Sequence, residues 1–343
     1  MGNACLDTKE TIDGGCESAR LRDRNPRTGR DRDWAGRKTA GMDLALTYSR
    51  LGWVGRAERV THCGDVLQFN ECPKEHEKHL VRANFCRDPL CPVCVWRRSR
   101  KLGGQLREIA DEARSEVPGI RLIHLVLTVR NAQSEEELNA TLDALTEGFA
   151  RLRKRKRFRA AVLGHFRAVE ITIGATGYHS HLHVLLAVDS SYFAHTGLYI
   201  DQAEWVQLWR ECVRLNYDPS VHVQAIRRHD LKALAEITKY VVKGSEWIAD
   251  DERVRVLASA VKSRRMVEFG GLFRDIKRRL RLEDAEAADA DLVGAEGVQT
   301  CCATCGAELV EIRYIYDVGM CDYRRDAGAA IRSDEWWREF RGS

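Results

Sequence analysis

Between residues 118 and 250 the spacing of apolar positions changes period several times along the chain. Residues 120–130 are apolar at most positions and rich in Leu, Ile and Val, which predicts a strand. Residues 134–156 open with Ser134-Glu135-Glu136-Glu137 and then place Leu138, Leu142, Leu145, Phe149 and Leu152 at helical spacing, which predicts a capped amphipathic helix. A second strand is expected over 166–173. A third follows over 178–188, entered through a turn marked by Gly174 and Gly177, so the two should pair as a hairpin. A helix over 201–215, a short strand over 221–226 and a helix over 230–248 complete the run. The order β-α-β-β-α-β-α is the split βαβ pattern, and the expected class is α+β: a central antiparallel sheet with helices on one face.

Around this sheet domain the pattern weakens. Residues 1–45 are polar, mixed in charge and poor in apolar periodicity, so a largely disordered tail is expected, with no role for Cys5 or Cys16. Residues 56–115 read as a cysteine-rich, zinc-binding segment followed by a basic helix from Trp96 to about residue 115. Past the sheet domain come a basic helical extension (251–282), an acidic, alanine-rich linker (283–299) and a small cysteine-containing segment (300–343).

The net charge of +4 argues little about partners. Its distribution argues more, because basic residues gather at 20–38, 97–101 and 151–159, where they would suit a phosphate backbone. No apolar run is long enough to cross a membrane and no signal-peptide core is present, so a cytoplasmic protein with no membrane partner is expected. The twelve cysteines of such a chain point to metal binding or free thiols rather than to a disulfide frame.

Two groups carry candidate chemistry. Cys86-x4-Cys91-x2-Cys94 holds the knuckle spacing that lets two thiolates reach one tetrahedral Zn²⁺. Cys86 supplies a third, and Cys63, with Cys72 as the alternative, a fourth. Four protein ligands would make that zinc structural. Cys302 and Cys305 repeat the spacing with Cys321 beyond them, which leaves a second zinc site open. The other group lies on the third strand of the sheet domain. Side chains alternate along a strand, so His179, His181 and His183 share one face. Glu170, on the strand that pairs with it, can complete a two-histidine, one-carboxylate set with His181 and His183; His179 competes as third ligand. Such a set leaves coordination positions open for substrate oxygens. Glu236, Tyr240 and Lys243, four and three apart in the last expected helix, would share one of its faces.

In order, Leu125-Val126-Leu127-Thr128-Val129-Arg130-Asn131, His179-Ser180-His181-Leu182-His183-Val184 and Lys239-Tyr240-Val241-Val242-Lys243 resemble the motifs of rolling-circle replication initiators, the HUH endonucleases of plasmids and single-stranded phages. The cysteine segment from Phe85 to Ser99 is similar to that of one plasmid Rep branch, and the resemblance covers roughly 56–250. It implies a palm-like nuclease domain over 118–250 with His181 and His183 as ligands of Mg²⁺ or Mn²⁺. Tyr240 would be the nucleophile, Glu236 the group that handles water at termination, and Lys243 a positioning residue. Ser180 stands where the family often has proline, which moves no ligand. The implied product is a nicked origin strand with a 5′-phosphotyrosyl link and a 3′-OH primer. The implied partners are origin DNA, as a hairpin single strand with flanking duplex, and a host helicase with the replication machinery; a homodimer stays open. A relaxase, a transposase and a non-enzymatic zinc-finger regulator are the alternatives. The position of Tyr240 after the histidines disfavours the relaxase, and the regulator would leave Glu170, the histidine strand and Tyr240 without purpose.

Overall fold

The computed structural model describes residues 20–25, 28–194, 197–227, 234, 237–238, 241–243 (backbone only), 246–287, 290–294 and 300–326. The class is α+β, with two sheets. The chain divides into two compact units, one of residues 1–94 with 291–343 and one of residues 95–290. Among the described residues no helix is long and apolar enough to cross a membrane.

In the first unit, helices α1 (Trp34–Arg50) and α2 (Val54–Thr61) pack together beside a four-stranded antiparallel sheet. Its strands are β1 (Val66–Glu71), β2 (Lys78–Ala83), β9 (Val310–Asp317) and β10 (Asp322–Arg325), in the order β10-β9-β1-β2. Helix α1 corrects the expectation of a disordered tail over its part of residues 1–45. Asp33 caps it by accepting from Gly36 N, and Asp23 accepts from Trp34 Nε1 at 2.8 Å. Trp34, Leu44, Ala45 and Tyr48 are buried at helical spacing. The polar average of that stretch hid a stripe of few but large side chains. The small cysteine-containing segment expected over 300–343 supplies a strand of this sheet, because β9 pairs along all of β1, from Val66 opposite Ile315 to Glu71 opposite Val310.

The second unit holds the expected sheet. Strands β3 (Arg121–Thr128), β4 (Val162–Gly174), β5 (Gly177–Val188), β6 (Val221–Ile226) and β7 (Val241–Lys243) lie in the order β6-β3-β5-β4-β7, and β8 (Val267–Gly271) also pairs with β4. All pairs are antiparallel except β4 with β7. One edge of the long β4 is thus shared, with β8 along residues 164–168 and β7 along residues 170–172. Helix α4 (Glu135–Leu152) is capped by Ser134, whose side chain accepts from Glu137 N, and buries Leu138, Leu142, Leu145, Phe149 and Leu152. It packs on β5, on α6 (Gln202–Val213) and on α7 (Asp251–Val261), while α8 (Leu272–Arg279) packs on β4 and β8. The short α5 (Lys156–Ala161) leads into β4. Helix α3 (Pro92–Glu116) runs from one unit into the other, the division falling between Cys94 and Val95.

Two expectations change here. Residues 241–243 are extended and hydrogen-bonded to β4, so the helix expected over 230–248 does not include them. The three residues are Val, Val and Lys, and β-branched side chains favour a pleated surface when an edge is on offer. Residues 251–282 are not a purely helical extension, since β8 is a strand of the central sheet.

Candidate active site

The β4–β5 hairpin sets the geometry of the histidine face. Its register places Glu170 opposite His181, Ala168 opposite His183 and Thr172 opposite His179, so that Glu170, His181 and His183 share one face of the sheet. All three are buried. One ligand atom from each lies within 4.8 Å of the others. Glu170 Oε2 is 2.9 Å from His181 Nε2 and 2.7 Å from His183 Nε2, and the two nitrogens are 3.0 Å apart. Neighbouring ligands of an octahedral ion, with bonds of about 2.0–2.2 Å, are separated by about 2.8–3.1 Å, so these spacings suit three such positions. The other carboxylate oxygen, Glu170 Oε1, is buried without a hydrogen-bond partner. A buried acceptor left in that state is costly unless a cation satisfies it. Burial works against the charge on Glu170, but hydrogen bonds from His181 and His183 outweigh it and hold the carboxyl well below the usual carboxylate range. These residues therefore fit a small divalent ion.

His179 is placed differently. Its Nδ1 lies 2.7 Å from Asn131 Oδ1, and it is not one of the converging three. Burial, and then the neighbouring His181, lower its pKa. A residue missed by sequence reasoning is His124. It lies on β3, diagonally across from His183 on the same face, and its Nε2 is 3.1 Å from His183 Nδ1. With Nε2 facing Glu170 and Nδ1 facing His124, the His183 ring is held from both sides. The available signal was a lone histidine in the apolar run Ile123-His124-Leu125.

Glu236 and Tyr240 lie outside the described residues, as does the side chain of Lys243. The backbone that follows Tyr240 is described: Val241 pairs with Glu170, Val242 with Ile171 and Lys243 with Thr172.

The first unit brings Cys63, Cys86, Cys91 and Cys94 together, with all four sulfurs within 4.8 Å of one another. Sulfur separations of 3.5 Å (Cys63–Cys94), 3.6 Å (Cys63–Cys91) and 3.7 Å (Cys86–Cys94) are close to the roughly 3.8 Å edge of a tetrahedron with Zn–S bonds of about 2.3 Å. Backbone N–H groups point at the sulfurs, Cys86 N at Cys63 and Arg87 N at Cys94. Asp88 shapes the loop between them, accepting from Leu90 N, from Tyr48 Oη and from Arg56. Burial pushes the Cys63 and Cys86 thiols well up, so a cation such as zinc would have to offset the cost of ionising them. Cys72, the alternative fourth ligand, lies instead with His76, Cys302 and Cys305 in a second converging group, of which Cys321 is not a member. These groups could hold a metal such as zinc.

The basic runs are less free than their sequence suggests. Arg97 and Arg98 are buried, and Lys101 is paired with Glu283 of the stretch expected to be a linker. In the second run Arg151 pairs with Glu147, Arg153 with Glu268, Arg155 with Glu211 and Arg157 with Glu204, which leaves Lys154, Lys156 and Arg159 as exposed cations.

Comparison with known proteins gives a consistent result. The model of a family described as "Replication protein" matches residues 77–317. The chain is 42% identical over 282 residues to "Protein rep" of Lactiplantibacillus plantarum, covering 78% of this chain and 88% of that protein. It is 38% identical over 277 residues to "Protein rep" of Streptococcus pneumoniae serotype 2, covering 78% and 86% respectively. A "Replication protein" of Staphylococcus aureus is 35% identical over 202 residues, or 55% of this chain and 86% of its own length. No solved structure matches.

Proposed function

The chain belongs to the plasmid replication (Rep) protein family, and from that premise we propose that it starts rolling-circle replication by nicking one strand of its origin with Tyr240. The observation that carries this reading is the pairing of Val241 with Glu170. Adjacent strands are about 4.8 Å apart, so the segment that begins with Val241 runs directly beside the strand that carries Glu170, which supports a nucleophile drawn from this part of the chain. Lys243 lies in β7 and not in the helix expected over 230–248.

Glu170, His181 and His183 would hold the ion, and when bound a Mg²⁺ or Mn²⁺ ion supplies polarisation of a non-bridging phosphate oxygen and stabilisation of the departing 3′ oxygen. Tyr240, with a free pKa near 10, must lose its proton as its oxygen attacks phosphorus. A tyrosyl O–P bond forms and the P–O3′ bond breaks, leaving a 5′-phosphotyrosine and, once protonated, a 3′-OH that can prime synthesis. The covalent link retains the energy of the broken diester, so the strand can be rejoined without ATP. Glu236 then handles the water that ends the cycle and Lys243 positions the phosphate. Origin DNA enters as a single strand at the nick, extruded as a hairpin, with flanking duplex held elsewhere on the protein. Lys154, Lys156 and Arg159 are the exposed cations of the second run available for the phosphate backbone, with salt-dependent affinity.

The test uses purified protein, Mn²⁺ and a labelled origin hairpin. Wild type should yield a protein–DNA adduct that survives denaturation, and Tyr240→Phe none; an adduct formed by the variant would move the nucleophile elsewhere. Glu236→Ala should nick yet fail to release at termination, and normal release would remove that role.

A further inference from the structure

Besides the four-cysteine group of Cys63, Cys86, Cys91 and Cys94, a second cluster of metal-ligating side chains has no part in the proposed nicking chemistry. Cys72 and His76 sit in the turn that joins β1 to β2, where Cys72 N donates to Glu77 O and Glu75 N donates to Cys72 O. Cys302 and Cys305 sit in a second tight turn far along the chain. There Gly306, in the left-handed region at φ 69°, donates to Cys302 O, and Cys302 N donates to Ala307 O. That Cys-x2-Cys-Gly turn has the shape of a metal knuckle. The two turns meet because β1 and β9 are antiparallel. Glu71, just before Cys72, pairs with Val310, just after the second turn.

One ligand atom from each of the four residues lies within 4.8 Å of the rest. Cys72 Sγ is 3.6 Å from Cys305 Sγ and 3.7 Å from His76 Nδ1, and Cys302 Sγ is 3.8 Å from His76 Nδ1. Zn–S bonds of about 2.3 Å and Zn–N bonds of about 2.0–2.1 Å give tetrahedral edges of about 3.8 Å between sulfurs and about 3.5 Å between sulfur and nitrogen, so the set has the right size. Lys74 N donates to Cys72 Sγ, as backbone amides do toward metal-bound thiolates. The sulfurs stand too far apart for a disulfide, which needs about 2.05 Å. Three soft thiolates and an imidazole exclude Mg²⁺ or Ca²⁺ by preference and select zinc.

We propose that Cys72, His76, Cys302 and Cys305 form a second structural zinc site that clasps the C-terminal hairpin to the β1–β2 hairpin. With four protein ligands it keeps no open position and takes no part in catalysis. Its cost of ligand loss falls on the first unit, where it closes a loop of more than two hundred residues in sequence and adds to the β1–β9 ladder and the contacts of Tyr314, Tyr316 and Tyr323. The inference does not depend on the nicking reading, since its readout is metal content.

Full-length protein, washed with a weak chelator to clear loosely held ions, is assayed for zinc by mass spectrometry. Wild type should carry two zinc ions per chain and Cys302→Ser/Cys305→Ser one. X-ray absorption on the wild type should give seven sulfur neighbours to one nitrogen over the two ions, from four cysteines at one site and three cysteines plus His76 at the other. His76→Cys should keep both ions and lose the nitrogen signal. A single zinc in the wild type, an all-sulfur environment, or a double-serine variant that keeps two ions would overturn the proposal. Should that variant fail to fold, the wild-type count and sulfur-to-nitrogen ratio decide by themselves.

Discussion

At the residue scale, a ligand is only as good as what holds it. His183 faces Glu170 through Nε2 and His124 through Nδ1, both at hydrogen-bond distance. Groups that orient a metal-binding histidine are commonly worth ten- to a hundredfold in affinity. His124→Phe should therefore weaken Mn²⁺ binding by roughly tenfold or more, read by electron paramagnetic resonance of the free ion, while His124→Gln recovers part of the loss. Equal affinity in all three proteins would show that His183 is held without it. A second residue-scale prediction concerns Glu268, which pairs across strands with Arg167 (2.9 Å), and with Arg153 (2.7 Å). Burial raises its pKa, but His165, Arg167 and Arg153 together lower it to about 2. A free glutamate titrates near ~4.3. The folded form is thus the one that holds the charge more tightly. The stabilisation is full above about pH 4.3 and is lost as pH falls toward about 2. Glu268→Gln should flatten the acid limb of the stability curve over that window and cost roughly 1–2 kcal/mol at neutral pH, after allowance for solvent screening. Denaturation by urea at stepped pH measures it, and an unchanged acid limb would refute the assignment.

At the element scale, the β4–β5 hairpin is what aims the histidine face. Gly177 has φ 91°, and a Cβ there would sit 2.2 Å from Ala132 O, the carbonyl that accepts from Tyr178 N. Gly174, on the other side of the same turn, has open space around it. Gly177→Ala should cost roughly 2 kcal/mol or more in chemical denaturation, and Gly174→Ala about 1 kcal/mol or less. Comparable losses would mean that the turn is not held by this approach. Sequence periodicity reached this element well: the parity of His179, His181 and His183, the pairing of their strand with that of Glu170, and the capped helix at Ser134 were all readable from contiguous residues. It failed at residues 241–243, whose local pattern suits a helix and whose state is decided by the open edge of β4 beside them. The basic runs failed for a related reason. Composition counts a cation, but only the fold reveals that Arg153 or Arg157 already faces a carboxylate.

At the scale of the whole molecule, the first unit is made from both ends of the chain. β9 pairs with β1 and β10 with β9, Tyr314 packs edge-on against Phe69, and Tyr323 Oη donates to Gly64 O at 2.6 Å. Ending the chain after residue 299 would strip β1 of one of its two partner strands, leaving only β2, and remove Cys302 and Cys305. The expected result is loss of cooperative unfolding of this unit, seen as new proteolytic cleavage within residues 20–94, while the sheet built on β3, β4 and β5 stays protected. A truncated chain as resistant as the full one would show that the C-terminal hairpin adds little.

The sequence by itself determined what contiguous residues can encode: the alternation that lines up imidazoles on one strand, the capped amphipathic helix, the cysteine knuckle at 91–94 and the order of motifs that marks the family. Tertiary structure decided everything that depends on which distant segments meet. That includes β1 with β9, Glu170 with Val241, His124 behind His183, and Cys72 and His76 beside Cys302 and Cys305. The physical reason is that a side chain's period is written in its neighbours along the chain. Pairing is settled by the burial and hydrogen bonding gained when remote surfaces close on one another, and no local window contains both.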